Sequence, residues 1–124
     1  MNSFNQKILI VDDIEDNRFT LERRLSRNGY TAISQADCGK KALELVKEES
    51  FDLILLDLMM PDISGLDVLK MLKSDPKNRS IPVVMVTAAD EIETTADCIS
   101  NGAEDYITKP INATLLKARV TACL

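Results

Sequence analysis

Four apolar runs in the chain each end in a polar group. Ile8-Leu9-Ile10-Val11 runs into Asp12-Asp13, Leu53-Ile54-Leu55-Leu56 into Asp57, Val83-Val84-Met85-Val86 into Thr87, and Tyr106-Ile107-Thr108 into Lys109-Pro110. Short apolar runs with turn formers beyond them read as strands of a parallel sheet, buried on both faces. With a fifth candidate at residues 31–35, strands are predicted at 7–11, 31–35, 53–56, 83–86 and 105–108. The segments between them have helical period. Leu21 and Leu25 mark a buried stripe that stops at Asn28-Gly29, and residues 38–49 carry Ala42, Leu43 and Val46. Ser64 with Asp67 resembles a capping box opening a helix with Val68, Leu69 and Leu72, which stops before Pro76. Asp90 with Glu93 repeats that signal for Ile92, Ala96 and Ile99, and Asn112 caps a last helix with Leu115, Leu116 and Val120 inward.

Five βα units of these lengths predict right-handed crossovers and an open, doubly wound parallel α/β sheet with helices on both faces. Parallel strands bring their carboxyl ends to one edge, where such sheets hold their ligands. That edge would carry Asp12, Asp13, Asp57, Thr87 and Lys109. No linker or low-complexity tract interrupts the pattern, so residues 1–124 are expected to form one domain. The apolar finish Cys123-Leu124 suggests that the natural chain continues as a longer regulator.

Asp57 is the anomaly. An ionised carboxylate at the end of a buried strand needs a cation, a set of donors or a reaction to justify it. Three carboxylates with one ammonium and one hydroxyl suit Mg²⁺, which takes a few carboxylate oxygens plus waters and phosphate oxygens. A carboxylate so placed can attack phosphorus to give an aspartyl phosphate, a reaction that needs positioning and charge neutralisation more than an acid or base.

Composition narrows the alternatives. A length of 124 residues fits one domain, and an aromatic fraction of 4% implies an aliphatic core. The net charge of −5 argues against a nucleic-acid surface; the basic stretch Arg18, Arg23, Arg24 and Arg27 reads as the solvated face of a helix. Three cysteines without paired spacing suggest neither a disulfide framework nor a zinc site, and a reducing cytoplasm is the expected setting. No run of residues is long and apolar enough to span a membrane, and Met1-Asn2-Ser3-Phe4 does not open a secretory signal. The absence of histidine excludes a Ser-His-Asp or Cys-His system within the chain.

At this point the sequence resembles the receiver domain of bacterial two-component response regulators, the CheY-like family. The matching pieces are Ile10-Val11-Asp12-Asp13, Leu56-Asp57-Leu58-Met59-Met60-Pro61 with Gly65, Val86-Thr87-Ala88, Gly102-Ala103, and Tyr106-Ile107-Thr108-Lys109-Pro110. The resemblance implies a flavodoxin-like strand order 2-1-3-4-5 and a phosphoacceptor at Asp57. The phosphoryl group would come from a histidine of a sensor kinase or a phosphotransfer protein. Asp13 and Asp57 would bind Mg²⁺ through their side chains, Asp12 through water and Met59 through its backbone carbonyl. Lys109 would contact the phosphoryl oxygens, and its bond to Pro110 would be cis. Thr87 would move to meet the group and Tyr106 would turn inward behind it. The surface of the fourth helix, fifth strand and fifth helix would switch, engaging an output domain, a downstream protein or a second copy. The chain would then be no enzyme beyond catalysing its own phosphorylation and dephosphorylation. The ending Leu115-Leu116-Lys117-Ala118-Arg119-Val120 is similar to receivers that lead through coiled linkers into cyclase-type or other catalytic domains.

Blander readings exist for each residue alone. Asp12-Asp13 would serve as a helix cap, Thr87 as a structural hydroxyl, Lys109-Pro110 as a turn, and Tyr106 as a half-buried core aromatic. Met59, Met60, Met71 and Met85 read as packing. The joint pattern reverses those odds. A phosphatase of the haloacid dehalogenase type would need D-x-D at the first strand, and a flavin or dinucleotide binder a Gly-rich loop where Ile14-Glu15-Asp16 stands. A phosphorylation-silent interaction module of the same fold is the runner-up, but it would be expected to have lost an acid or the lysine. In the family, side chains two places after the acceptor and two after the threonine influence water attack on the aspartyl phosphate. Here they are Met59 and Ala89, which predicts slow self-dephosphorylation.

Overall fold

The computed structural model describes residues 5–124, so the opening residues read above for a leader lie outside it. Five strands, β1 (Lys7–Val11), β2 (Ala32–Ala36), β3 (Leu53–Asp57), β4 (Val83–Thr87) and β5 (Asp105–Thr108), alternate with five helices. These are α1 (Glu15–Arg27), α2 (Gly39–Glu48), α3 (Gly65–Ser74), α4 (Ile92–Ser100) and α5 (Ala113–Cys123). All four strand pairings are parallel, in the order β2-β1-β3-β4-β5. The expected elements, topology and order are all present, with strand ends shifted by at most one residue.

The two-residue side-chain period of a strand divides the apolar runs between two cores. Ile8, Ile10, Leu53, Leu55, Val84 and Val86 pack with Leu21 and Leu25 of α1 and Leu116 and Val120 of α5. Leu9, Val11, Ile54, Leu56, Val83 and Met85 face the other way, against Ala42 and Val46 of α2, Val68, Leu69 and Leu72 of α3, and Cys98 of α4. An uninterrupted apolar run is what a strand covered on both faces requires, which is why periodicity alone identified these strands.

The helix signals fared unevenly. The Ser64 hydroxyl accepts from the Asp67 N–H, and the Asn112 side chain from the Leu115 N–H, as expected for caps. Gly29 takes φ 95° after Asn28, the stop predicted for α1. Asp90 is not the cap of α4: Glu91 takes that position, without a side-chain bond of the usual capping kind. The buried face of α4 is Thr95 and Cys98, whereas Ile92, Ala96 and Ile99 point outward. Their apolar spacing marks a stripe, but that stripe lies on the exposed side of α4. Leu115 is likewise exposed, leaving Leu116 and Val120 to anchor α5. Of the methionines, Met85 is core, while Met59 and Met71 are exposed instead of packed.

Candidate functional site

Strand register creates the site. Ile10 and Leu55 are cross-strand partners in β1 and β3, and two residues further along each strand, on the same face, stand Asp12 and Asp57. Carboxylates therefore continue the line that leucine and isoleucine occupy within the core. Asp12 is 1% exposed and Asp57 4%, while Asp13 is open to solvent. Oxygens of the three lie within 4.8 Å of one another, forming the acidic cluster found among the described residues.

Lys109 reaches in from beyond β5. Its Nζ lies 3.0 Å from Asp57 Oδ1 and 3.5 Å from Asp12 Oδ2. Its backbone N–H donates to the Thr87 carbonyl at 2.7 Å, and its bond to Pro110 is cis, as expected. Burial is the largest influence on Asp57 and pushes its carboxyl up; the Lys109 hydrogen bond opposes this, and the charges of Asp12 and Asp13 add to it. The outcome is a pKa of about 6. Burial pulls the Lys109 ammonium down, but its bond to Asp57 and the charges of Asp57 and Asp12 outweigh that, and its pKa ends above the ordinary value.

The cap reading of Asp12 is half right. Its Oδ1 accepts from the Ile14 N–H at 2.9 Å, tightening the turn into α1. Its Oδ2 is buried without a hydrogen bond, near only the long Lys109 ion pair. An orphaned carboxylate oxygen beside two further carboxylates, one of them wet, fits a hard divalent cation that keeps part of its hydration. Asp12, Asp13 and Asp57 are the side chains placed to hold it.

Thr87 ends β4 and is buried, whereas Tyr106 on β5 is exposed. Between them a cavity of about 310 Å³ is lined by Thr87, Ala88, Ile92, Ala96, Ile99 and Tyr106 among others. Ala89, which also lines this cavity, and Met59 (62% exposed) are both accessible to solvent.

Several supporting residues were not foreseen. Asp62 accepts from the Gly39 and Lys40 N–H groups at 3.1 and 2.9 Å, capping α2 from the loop that carries Met59. The Lys40 bond is the main reason its carboxyl is held down to about 2. Arg18, read as part of a solvated face, donates to the Asp12 carbonyl at 2.8 Å and to Gln35 Oε1 at 3.0 Å. Gly65 has no room for a side chain, since a Cβ there would meet the Asp57 carbonyl and come within 2.8 Å of Leu58 Cα. Only Gly65 had a sequence signal; the others depend on contacts between distant segments.

A sheet of this order, with an acidic crevice and a lysine at its carboxyl edge, is the architecture of phosphoryl-receiving signalling domains. The family model of the response regulator receiver domain matches residues 8–121; the chain belongs to this family, the receiver domain of two-component response regulators. It is 44% identical over 114 residues to the response regulator PleD of Caulobacter vibrioides, covering 92% of this chain and 25% of that protein. It is 35% identical to the chemotaxis protein CheY-3 of Vibrio cholerae, covering 94% and 89%. A solved response regulator from Chloroflexus aurantiacus superposes with a TM-score of 0.91 at 29% identity, over 96% of this chain and 97% of that one. The chain spans a quarter to a half of the length of several of its curated relatives. Among the described residues no helix is long and apolar enough to cross a membrane.

Proposed function

We propose that Asp57 is the phosphoacceptor of this receiver domain and takes its phosphoryl group from a phosphohistidine of a sensor kinase or phosphotransfer protein. The observation that carries this reading is the placement of Asp57. Its carboxylate is buried at the end of β3, 3.0 Å from the Lys109 ammonium and beside the Asp12 and Asp13 carboxylates. A merely structural Asp57 would have been satisfied by backbone donors, but its hydrogen bond runs to a lysine.

The chemistry follows from that placement. With a pKa of about 6 the carboxylate is mostly ionised at neutral pH. One of its oxygens forms a bond to phosphorus as the bond from phosphorus to the donor's imidazole nitrogen breaks. The electron pair departs with that nitrogen. Lys109 holds a positive charge where the phosphoryl oxygens arrive, and desolvation makes that charge count. Asp13, Asp57 and the Met59 carbonyl would hold Mg²⁺ directly and Asp12 through water, and the ion would supply charge neutralisation that lets the acids coexist with an incoming anion.

The buried Thr87 hydroxyl and the outward Tyr106 border the same cavity, so drawing Thr87 toward Asp57 opens space for the Tyr106 ring. The face of α4, β5 and α5, with exposed Ile92, Ile99, Tyr106 and Leu115, would then change shape and engage an output domain, a downstream protein or a second copy. We place the module in the cytoplasm as one domain, catalysing only its own phosphoryl gain and loss.

Acetyl phosphate with Mg²⁺ tests the assignment. The chain should gain the mass of one phosphoryl group, borohydride reduction of the acyl phosphate should release phosphate and leave homoserine at position 57, and Asp57→Asn should gain no mass. Labelling that survives D57N, or that maps elsewhere, would move the acceptor.

A further inference from the structure

The hydrogen-bonding alternation of β4 aims at the site one backbone donor that no neighbouring strand takes up. Even-numbered positions bond toward β3, since the Leu58 N–H donates to the Val86 carbonyl at 3.1 Å and Ile54 N–H to that of Pro82 at 3.0 Å. Odd-numbered positions bond toward β5, since the carbonyls of Val83 and Thr87 accept from Glu104 and Lys109. Ala88 is the next even position, and Val86, the one before it, is the register partner of Asp57. Its N–H therefore belongs to the β3 side of the ladder, at the level just beyond Asp57, where β3 has already ended.

A carboxylate occupies that donor. Glu91 Oε1 accepts from the Ala88 N–H at 2.7 Å, while the Glu91 N–H returns a bond to the Ala88 carbonyl at 3.1 Å. Glu91 is also the residue from which α4 starts, with φ −103° and ψ 38°, and its carbonyl accepts the Thr95 hydroxyl at 2.7 Å. Thr95 is part of the buried face of α4. The chain of contacts runs from the edge of the acceptor pocket, through one side chain, into the first turn of the helix.

We propose that Glu91 is an internal competitor for the phosphoryl group: its carboxylate holds the Ala88 N–H in the unphosphorylated domain and must release it when Asp57 is phosphorylated, which frees the start of α4. This rests on the assignment of Asp57 as phosphoacceptor. A phosphoryl group adds several acceptor oxygens next to a donor already bound to an anion. Two anions cannot share one N–H at close range, so the incoming group and Glu91 exclude each other. The consequence is a direct coupling between the occupancy of the pocket and the conformation of Glu91, the residue that sets the entry angle of α4.

The test is a titration of the whole chain with beryllofluoride and Mg²⁺, a stable mimic of the phosphoryl group, followed by amide resonances of Thr87 and Ala88. Glu91→Gln, isosteric but uncharged, should bind about 5- to 10-fold more tightly than the unsubstituted chain, the difference between a charge-assisted and a neutral hydrogen bond as competitor, and Glu91→Ala, which removes the competing bond altogether, should bind at least as tightly as E91Q. In ligand-free E91A the Ala88 amide proton should move upfield as its bond is lost. Asp90→Asn removes the same charge from the same loop without touching Ala88, and should alter affinity less than about twofold, as screened exposed charges do. Unchanged affinity in E91Q, or an equal gain in D90N, overturns the competitor while leaving Asp57 as acceptor. If the unsubstituted chain and E91Q both fail to bind beryllofluoride, the acceptor assignment fails and the competitor with it. Should E91A not fold, E91Q carries the comparison alone.

Discussion

Replacing Asp57 by Asn should stabilise the metal-free fold, and the pH profile of that gain is its signature. The Asp57 carboxyl has a pKa of about 6 in the folded domain against an ordinary value of 3.8. A carboxyl whose folded value lies above its unfolded value contributes favourably only while it is neutral. That contribution is whole below about 3.8 and is lost as pH climbs through 6. At pH 7.5 the ionised group therefore weighs against folding by about 3 kcal/mol, at roughly 1.4 kcal/mol for each unit. Asn keeps the volume and offers Lys109 an amide oxygen without the charge, so D57N should unfold with a stability higher by about 2–3 kcal/mol in chelated buffer at pH 7.5. At pH 4 both side chains are neutral and the gain should nearly vanish. Urea unfolding at the two values, with m shared between variants, decides it. A D57N chain no more stable than its parent at pH 7.5, or a gain that persists at pH 4, would refute the reasoning that burial, more than pairing with Lys109, sets the state of this carboxylate.

Three further outcomes follow from single contacts. Gly65→Ala drives a Cβ into the Asp57 carbonyl and Leu58 Cα; with backbone on both sides unable to yield, it should cost about 3 kcal/mol or more in urea unfolding. Asp62→Ala removes a cap from α2 at a cost of about 1 kcal/mol. Because its carboxyl is held down to about 2, the contribution of Asp62 should be present above the ordinary value of 3.8 and fade as pH falls toward 2. Met59→Asn places a polar side chain where an exposed thioether now stands and should shorten the aspartyl phosphate lifetime by about tenfold, read by loss of radiolabel after removing the donor. An unchanged or longer lifetime would show that water is not guided from this side.

The parts of the fold legible in the sequence were those set by burial on both faces. β1, β3 and β4 announced themselves as unbroken apolar runs, and once they were taken as parallel their polar ends had to meet. That is why Asp12, Asp57 and Lys109 can be brought together from the sequence alone, in accord with the 3.0 Å between Lys109 and Asp57. The contacts that escaped join segments whose proximity is a product of the finished fold. Asp62 and Gly39 are separated by 23 residues, and nothing in Pro61-Asp62-Ile63 declares that its carboxylate caps another helix. In the sequence Arg18 reads as one of several surface arginines, because its bond to the Asp12 carbonyl exists only once the turn into α1 has formed.

The inversion of α4 has a different cause. Ile92, Ala96 and Ile99 keep the spacing of a core stripe, so a rule that equates apolar periodicity with burial put them inward. The helix instead packs through Thr95 and Cys98, two small residues that allow close approach, and Thr95 satisfies its hydroxyl on the Glu91 carbonyl. In α4 small residues face inward and isoleucines outward, with Ile92 74% exposed. Covering its outer stripe with a partner surface would contribute about 25 cal/mol per Å² buried. The feature that defeated the periodicity argument suits the proposed switch: a helix packed on its own core through small residues and apolar on the side that another surface can cover.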